Sequence, residues 1–297
     1  METEQTRREE GAAMLYLCAT PIGNLGDITE RVLETLRSVD LIAAEDTRNT
    51  LRLLNHFGIK KPLTSYHEYN KYDKAEELIG KLRAGTSIAL VTDAGTPAIS
   101  DPGEVLVARC LEEGIGVTSL PGACALITAL TLSGLSTRRF CFEGFLPTDK
   151  KERRRILDDL RTQERTTVLY EAPHRLGSTL TELYEALGDR RITLCRELTK
   201  RYEEAVPTTL AAAVAMCESK EPRGEYVLVL EGADRKALEA QKQRAFDSMS
   251  LEEHMALYTA QGIPRKEAMK KVAADRGMAK RDVYKKLVDG AGAEAGE

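Results

Sequence analysis

The stretch from Val91 to Gly103, VTDAGTPAISDPG, concentrates residue types that can wall a small-molecule pocket. Its glycines and prolines let the backbone approach a ligand closely, and Asp93 and Asp101 offer carboxylates that accept hydrogen bonds. It follows Ser87–Val91, apolar enough for a strand covered on both faces, and in open α/β sheets ligands sit beyond the carboxyl ends of strands. Asp101-Pro102-Gly103-Glu104 also reads as a helix start, with Asp101 at N-cap, Pro102 at N1 and Glu104 closing a capping box. Two other turns share the plan of strand, turn and helix: Ala19–Asp27, ATPIGNLGD, and Leu120–Ala125, LPGACA. The first lacks the spacing of a dinucleotide fingerprint or a P-loop. Three such turns at strand ends imply one shared crevice.

The elements that must position these turns alternate between short β-rich runs and helical patterns, as expected of βα units and a largely parallel sheet. Leu15–Ala19 reads as the first strand, and Ile28, Val32, Leu33 and Leu36 mark one buried stripe of the helix after it. Phe140–Pro147 reads as turn-rich, and 150–165 as a charged helix opening a second α/β unit. Near the end, Leu251–Gln261, Pro264–Arg276 and Ala279–Val288 read as three short helices, with Pro264 at N1 and Gly262 and Gly277 at C′ positions. The expected organisation is an α/β protein of two α/β domains plus a small C-terminal helical domain. Its bounds are a disordered N-terminus over 1–13, domains at 14–135 and 136–235, basic helices at 246–288 and a disordered tail at 289–297.

A net charge of −4 argues against coating nucleic acid by bulk charge. Locally the picture differs, because residues 262–287 carry nine Lys or Arg against three Asp or Glu. Such a basic face either meets a polyanion or is simply solvated. Cys18, Cys110, Cys124, Cys141, Cys195 and Cys217 show no paired spacing, so neither a disulfide framework nor a zinc knuckle is expected. With four histidines and no clustered thiols, no metal site is expected. No run approaches the roughly 20 apolar residues that span a bilayer, and the polar N-terminus lacks a secretory core, so a cytoplasmic protein is expected.

Several longer strings are more specific. TPIGNLGDIT at 20–29, AAEDTRNT at 43–50, VTDAGTPAISDPG, LPGACA, FEGFLP at 142–147, YEAPHRL at 170–176 and CRELTK at 195–200 closely resemble the ribosomal RNA small subunit methyltransferase I family, of the tetrapyrrole-methylase-like group. Composition and spacing alone stop at a crevice for an adenosine-like ligand. The resemblance implies S-adenosylmethionine held between two α/β domains, a homodimer, and 2′-O-methylation of a cytidine ribose in 16S rRNA of the small ribosomal subunit. It implies cofactor contacts at Pro21, Asp93, Ala94, Gly95, Ile99, Cys124, Ala125 and Tyr170. Cys124 stands where a small hydroxyl residue is common, so a hydrogen bond is expected to be missing there. The alternatives are methylation of a small molecule such as a tetrapyrrole, and a non-catalytic RNA-binding module.

Methyl transfer from a sulfonium is an in-line displacement, so alignment dominates, with help from a group that takes the hydroxyl proton. Lys200 and Asp46 are the favoured catalytic candidates, with Glu171, His174 and Glu197 behind them. Glu45 and Asp46 also read as caps of the following helix. Arg48, Arg175, Arg196 and Arg201 are read as phosphate contacts, since guanidinium groups match phosphate oxygens in pairs. His67 is read as an RNA contact beside Tyr66 and Tyr69, whose rings suit unpaired bases.

Overall fold

The computed structural model describes residues 13–293; residues 1–12 and 294–297, which hold most of the expected disordered ends, lie outside it. Its described residues divide into two compact units, 13–159 with 165–231, and 160–164 with 232–293.

The first unit contains two five-stranded sheets. In one, β1 (Met14–Cys18), β2 (Leu41–Ala44), β3 (Leu63–Ser65), β4 (Ile88–Val91) and β5 (Gly116–Leu120) run in the order β3-β2-β4-β1-β5, every neighbour parallel. Strands β1 and β4 are buried along their whole length, which is why they lack polar alternation. Four helices cover them: α1 (Glu30–Ser38), α2 (Thr47–His56), α3 (Lys71–Arg83) and α4 (Gly103–Glu112). Thr29 caps α1 by accepting from the Val32 amide, and Val32 and Leu36 of the expected stripe are buried. One face of the sheet packs Tyr16, Cys18, Ile42 and Ala44 with Leu36 and Leu54; the other packs Leu15, Leu17, Ile88 and Leu90 with Leu78 and Leu106. Each such Leu or Ile contributes about 1.5–3 kcal/mol on burial. Because β4, β1 and β5 are adjacent, the loops after them emerge side by side.

After α5 (Ala125–Leu132) the second sheet begins. Its strands β6 (Phe140–Phe145), β7 (Thr166–Glu171), β8 (Arg191–Arg196), β9 (Glu204–Thr209) and β10 (Tyr226–Leu230) lie in the order β6-β7-β10-β8-β9. Only β6 and β7 are parallel, so the expectation of a largely parallel sheet fails here. Two strands also escape the sequence pattern. In β6, Gly144 adopts φ +63° at a bulge after Phe142, which breaks the alternation and makes the segment read as a turn. In β9, Pro207 mimics a breaker, but the strand lies at the sheet edge, where a missing N–H is tolerated. Helices α6 (Lys150–Thr162), α7 (Pro173–Leu187) and α8 (Leu210–Ser219) complete the αβ alternation. All six cysteines are free thiols, and burial pushes that of Cys18 up to about 12.

In the second unit, α9 (Arg235–Ser248) precedes α10 (Leu251–Thr259), α11 (Arg265–Asp275) and α12 (Lys280–Ala293). Met255, Met269, Val272, Val283 and Leu287 form its core. Gly262 and Gly277 take φ +78° and +60° as helix ends require. Pro264 is the N-cap of α11 rather than N1, because its ψ of 139° is extended. Helix α12 runs on to Ala293, through residues whose Gly-Ala composition suggested a disordered tail. Among the described residues no helix is long and apolar enough to cross a membrane.

Candidate functional site

The loops after β1 and β4 are joined by reciprocal backbone bonds, Thr20 N–H to Gly95 O at 2.9 Å and Gly95 N–H to Thr20 O at 3.0 Å. The Thr20 hydroxyl donates to the Thr92 carbonyl at 3.1 Å, and Thr96 donates to the carbonyl of Ala123 in the third turn at 3.1 Å. Three separate turns are thereby one surface. Within the central loop, Ala98 and Ser100 hold left-handed backbones at φ +66° and +61°. Asp101 holds this shape by accepting from the amides of Ala98 and Gly103 at 2.9 and 2.7 Å. It thus serves the helix start as expected, although α4 opens at Gly103 with Pro102 as N-cap, one residue later than the sequence suggests.

This surface walls a cavity of about 600 Å³ whose other side comes from the second sheet. That size suits a ligand of cofactor dimensions. Phe145 reaches the cavity through the Gly144 bulge, and the Tyr170 ring meets Phe142 and Phe145 at centroid distances of 5.0 and 5.6 Å. The Tyr170 hydroxyl accepts from the Leu126 amide at 3.2 Å, at the start of α5. Cys124, the N-cap of that helix, makes no side-chain cap bond, as its lack of a hydroxyl predicts. Tyr170 supplies the missing acceptor from the opposite sheet.

The ionisable lining of the cavity is acidic: Glu45, Asp93, Asp101, Glu171 and Glu225, with His174 and, among the described residues, no Lys or Arg. Asp101 Oδ2 is buried with no partner among the described residues, and burial raises this carboxyl above its ordinary value. Asp93 accepts from the Asp46 amide and the Asn49 side-chain amide, both at 3.2 Å; burial and the adjacent Glu45 charge raise it too. Glu45 in turn accepts from the Thr92 hydroxyl at 2.7 Å. Glu171, whose side chain is wholly buried, is committed to Thr179 at 2.6 Å and to Arg175. The site therefore favours a cation and offers one free acceptor at Asp101.

Of the expected cofactor contacts, Asp93, Ala94, Gly95, Ile99, Cys124, Ala125 and Tyr170 line this cavity together. Pro21 lines a second, smaller cavity next to it, which shares Thr92 and Asp93. The favoured catalytic pair lines neither cavity, though each touches a lining residue. Asp46 is the N-cap of α2, accepting from the Arg48 amide at 2.8 Å and pairing with its guanidinium; these bonds hold its carboxyl down at about 2. Burial pulls the Lys200 ammonium down, but Glu225 and Glu197, each 2.9 Å away, outweigh it and leave the group more basic than usual. Neither Asp46 nor Lys200 lines either cavity.

The expected RNA contacts are dispersed. Arg48 is exposed beside Asp46, and Arg201 lies over the Tyr202 ring at 5.6 Å. Arg175 donates to the Leu146 carbonyl at 2.7 Å, and Arg196 pairs with Glu204 at 3.0 Å, so both are occupied structurally. His67 is half-buried with Nδ1 unpartnered, away from both cavities. Tyr66 is core rather than an RNA contact: it is 1% exposed and its hydroxyl donates to the Pro102 carbonyl at 2.9 Å. Phe145 and Glu225 were missed as lining residues. FEGFLP carried a signal for the first, but nothing local marks Glu225, which reaches the site only through the pairing of β10 with β7 and β8.

Residues 14–214 match the family described as Tetrapyrrole (Corrin/Porphyrin) Methylases. Along most of its length the chain is also similar to proteins named Ribosomal RNA small subunit methyltransferase I. Identity is 48% with that of Halalkalibacterium halodurans, covering 96% of this chain and 98% of the relative. It is 45% with that of Escherichia coli O157:H7, covering 93% and 95%. The chain belongs to the ribosomal RNA small subunit methyltransferase I family. Among solved structures, the fold matches a Thermus thermophilus uroporphyrin-III C-methyltransferase, crystallised with S-adenyl homocysteine, at TM-score 0.53 and 21% identity over 74% of this chain and 97% of the other. A conserved hypothetical protein of Aeropyrum pernix K1 matches at TM-score 0.58 and 17% identity over 94% and 98%. The family's two-sheet architecture thus places the acid-lined cavity at the carboxyl ends of β1, β4 and β5.

Proposed function

We propose that the chain transfers a methyl group from S-adenosylmethionine to the 2′ oxygen of a cytidine ribose in 16S rRNA of the small ribosomal subunit. The observation that carries this reading is the cavity of about 600 Å³, lined by carboxylates and, among the described residues, free of Lys and Arg, in a chain of this family. S-adenosylmethionine has a sulfonium and an ammonium against one carboxylate, so an acidic lining fits it. The unpartnered, buried Asp101 Oδ2 fits an amino or ribose donor. Ala94, Gly95, Ile99, Cys124, Ala125 and Tyr170 would hold it, largely through backbone and shape. When bound, it supplies an electrophilic methyl group that leaves without needing a proton.

The protein's own part is to exclude water with Phe145 and Tyr170, orient the two reacting atoms and accept a proton. Arg48 and Arg201 are exposed cations suited to phosphate, with the basic helices at 246–288 adding a second positive face. In this reading the two α/β domains span 14–135 and 136–235. A homodimer acting in the cytoplasm completes the reading. Small subunits lacking the modification, incubated with tritiated S-adenosylmethionine, should acquire label on a cytidine 2′ oxygen located by mass mapping. No incorporation, or preferential labelling of a porphyrinoid, would overturn it.

A further inference from the structure

The smaller cavity, about 390 Å³, meets the larger one at Thr92 and Asp93, which line both. One wall is the first loop, with Pro21 and Leu25; the other is a stripe of α2 formed by Asn49, Arg52, Leu53 and His56. That i, i+3, i+4, i+7 spacing puts the four on one face, while Thr50 and Leu54 turn to the core. Arg52 and His56 of the stripe are exposed, and Leu53 is half-buried. The cavity's composition is that of a nucleotide site, with apolar Pro21, Leu25 and Leu53 for a base and cationic Arg52 for a phosphate. Arg52 is exposed and has no acidic partner among the described residues. The volume lies near the lower limit of small-molecule sites, a size that suits one nucleoside.

We propose that this cavity receives the target nucleotide, unstacked from its RNA, with the ribose at Thr92 and Asp93, and that the Asp93 carboxylate takes the 2′ hydroxyl proton. This rests on the methyl-transfer reading above. Chemistry on a single nucleotide requires its removal from the stack, and the junction of the two cavities is where acceptor and donor can meet. The O2′–H bond breaks toward an Asp93 oxygen, an O2′–C bond forms, and the C–S electron pair stays on sulfur. A carboxylate and a sulfonium thereby become two neutral groups. Asn49 and the Asp46 amide hold Asp93 in place from α2. Burial and Glu45 make Asp93 a better base than Asp46.

The test compares Asp93→Asn, Asp93→Glu and Leu53→Trp with the wild type on unmodified small subunits, alongside calorimetric binding of S-adenosylmethionine. At saturating cofactor Asp93→Asn should lower kcat about 10²–10⁴-fold, whatever it does to cofactor Kd, and Asp93→Glu should recover part of the rate. Leu53→Trp should raise KM for subunits about tenfold or more while cofactor Kd stays unchanged. Cofactor binding also shows that each variant is folded. The inference is overturned if Asp93→Asn keeps wild-type kcat at saturating cofactor, or if Leu53→Trp methylates normally. A wild type that labels no subunit sinks the parent reading instead, and this one with it.

Discussion

Substituting Gly23 by alanine tests how tightly the first loop is fitted against the second sheet. Gly23 has φ +152°, and a β-carbon there would overlap Lys200 Cγ and approach Thr199 Oγ1 to 3.1 Å. The backbone strain costs about 1–2 kcal/mol. Because Cγ lies close to the main chain, Lys200 must swing away and release Glu197 and Glu225, both held at 2.9 Å. With Lys200 30% and Glu225 79% exposed, the two pairs together contribute about 1 kcal/mol. Gly23→Ala should therefore destabilise by about 2.5 kcal/mol, and Lys200→Ala by about 1 kcal/mol. In the double variant the overlap is gone and the ion pairs are already lost, so it should be no less stable than Gly23→Ala alone. Urea unfolding of the three variants measures this cycle. Additivity, a double-variant loss near 3.5 kcal/mol, would refute the contact and with it the placement of the loop against Lys200.

Three further predictions follow from the same structure. Tyr170→Phe leaves the Leu126 amide without its acceptor and should cost about 1 kcal/mol in urea unfolding, with weaker S-adenosylmethionine binding by calorimetry. Phe145 is 52% exposed yet lines the cavity, so Phe145→Ala should leave the melting temperature within about 2 °C while weakening cofactor binding roughly tenfold. In the helical unit His254 is fully buried, stacked on Phe246, and accepts at Nδ1 from Arg276 Nε at 3.0 Å; burial first and then the Arg276 charge lower its pKa, despite Asp275. A neutral folded imidazole means that the unfolded chain takes up a proton first, so stability is full above the ordinary value of 6.5 and falls as pH drops below it. Thermal melts of wild type and His254→Gln between pH 8 and 5 check this by the loss of that slope in the variant.

The elements most legible in the sequence were those whose signal is local. Continuous apolar runs at β1 and β4 named buried strands, and the Ile28–Leu36 periodicity named α1, because burial on both faces or one imposes those patterns directly. The three turns that make the cavity floor were recognisable because each follows its strand at once. Strands β6 and β9 were not legible, since Gly144 and Pro207 carry breaker residues whose tolerance depends on a bulge and on an edge position. The mixed direction of the second sheet was equally hidden, because strand pairing is a relation between distant residues.

The same division holds for the site. Residue types and their place after strands pointed to one crevice shared by the three turns, and the motif strings pointed to the family and to Asp93, Gly95 and Cys124 within it. Only the tertiary structure decided what each ionisable group can do. Asp46 and Lys200 look like catalytic residues in sequence, yet a cap bond and two flanking glutamates hold one acidic and the other cationic, outside both cavities. Asp93 gains its basicity from burial and from Glu45, and its place at the junction from the pairing of β2 with β4. A pKa is set by the solvent and charges around a group, and those come from chain segments the sequence keeps apart.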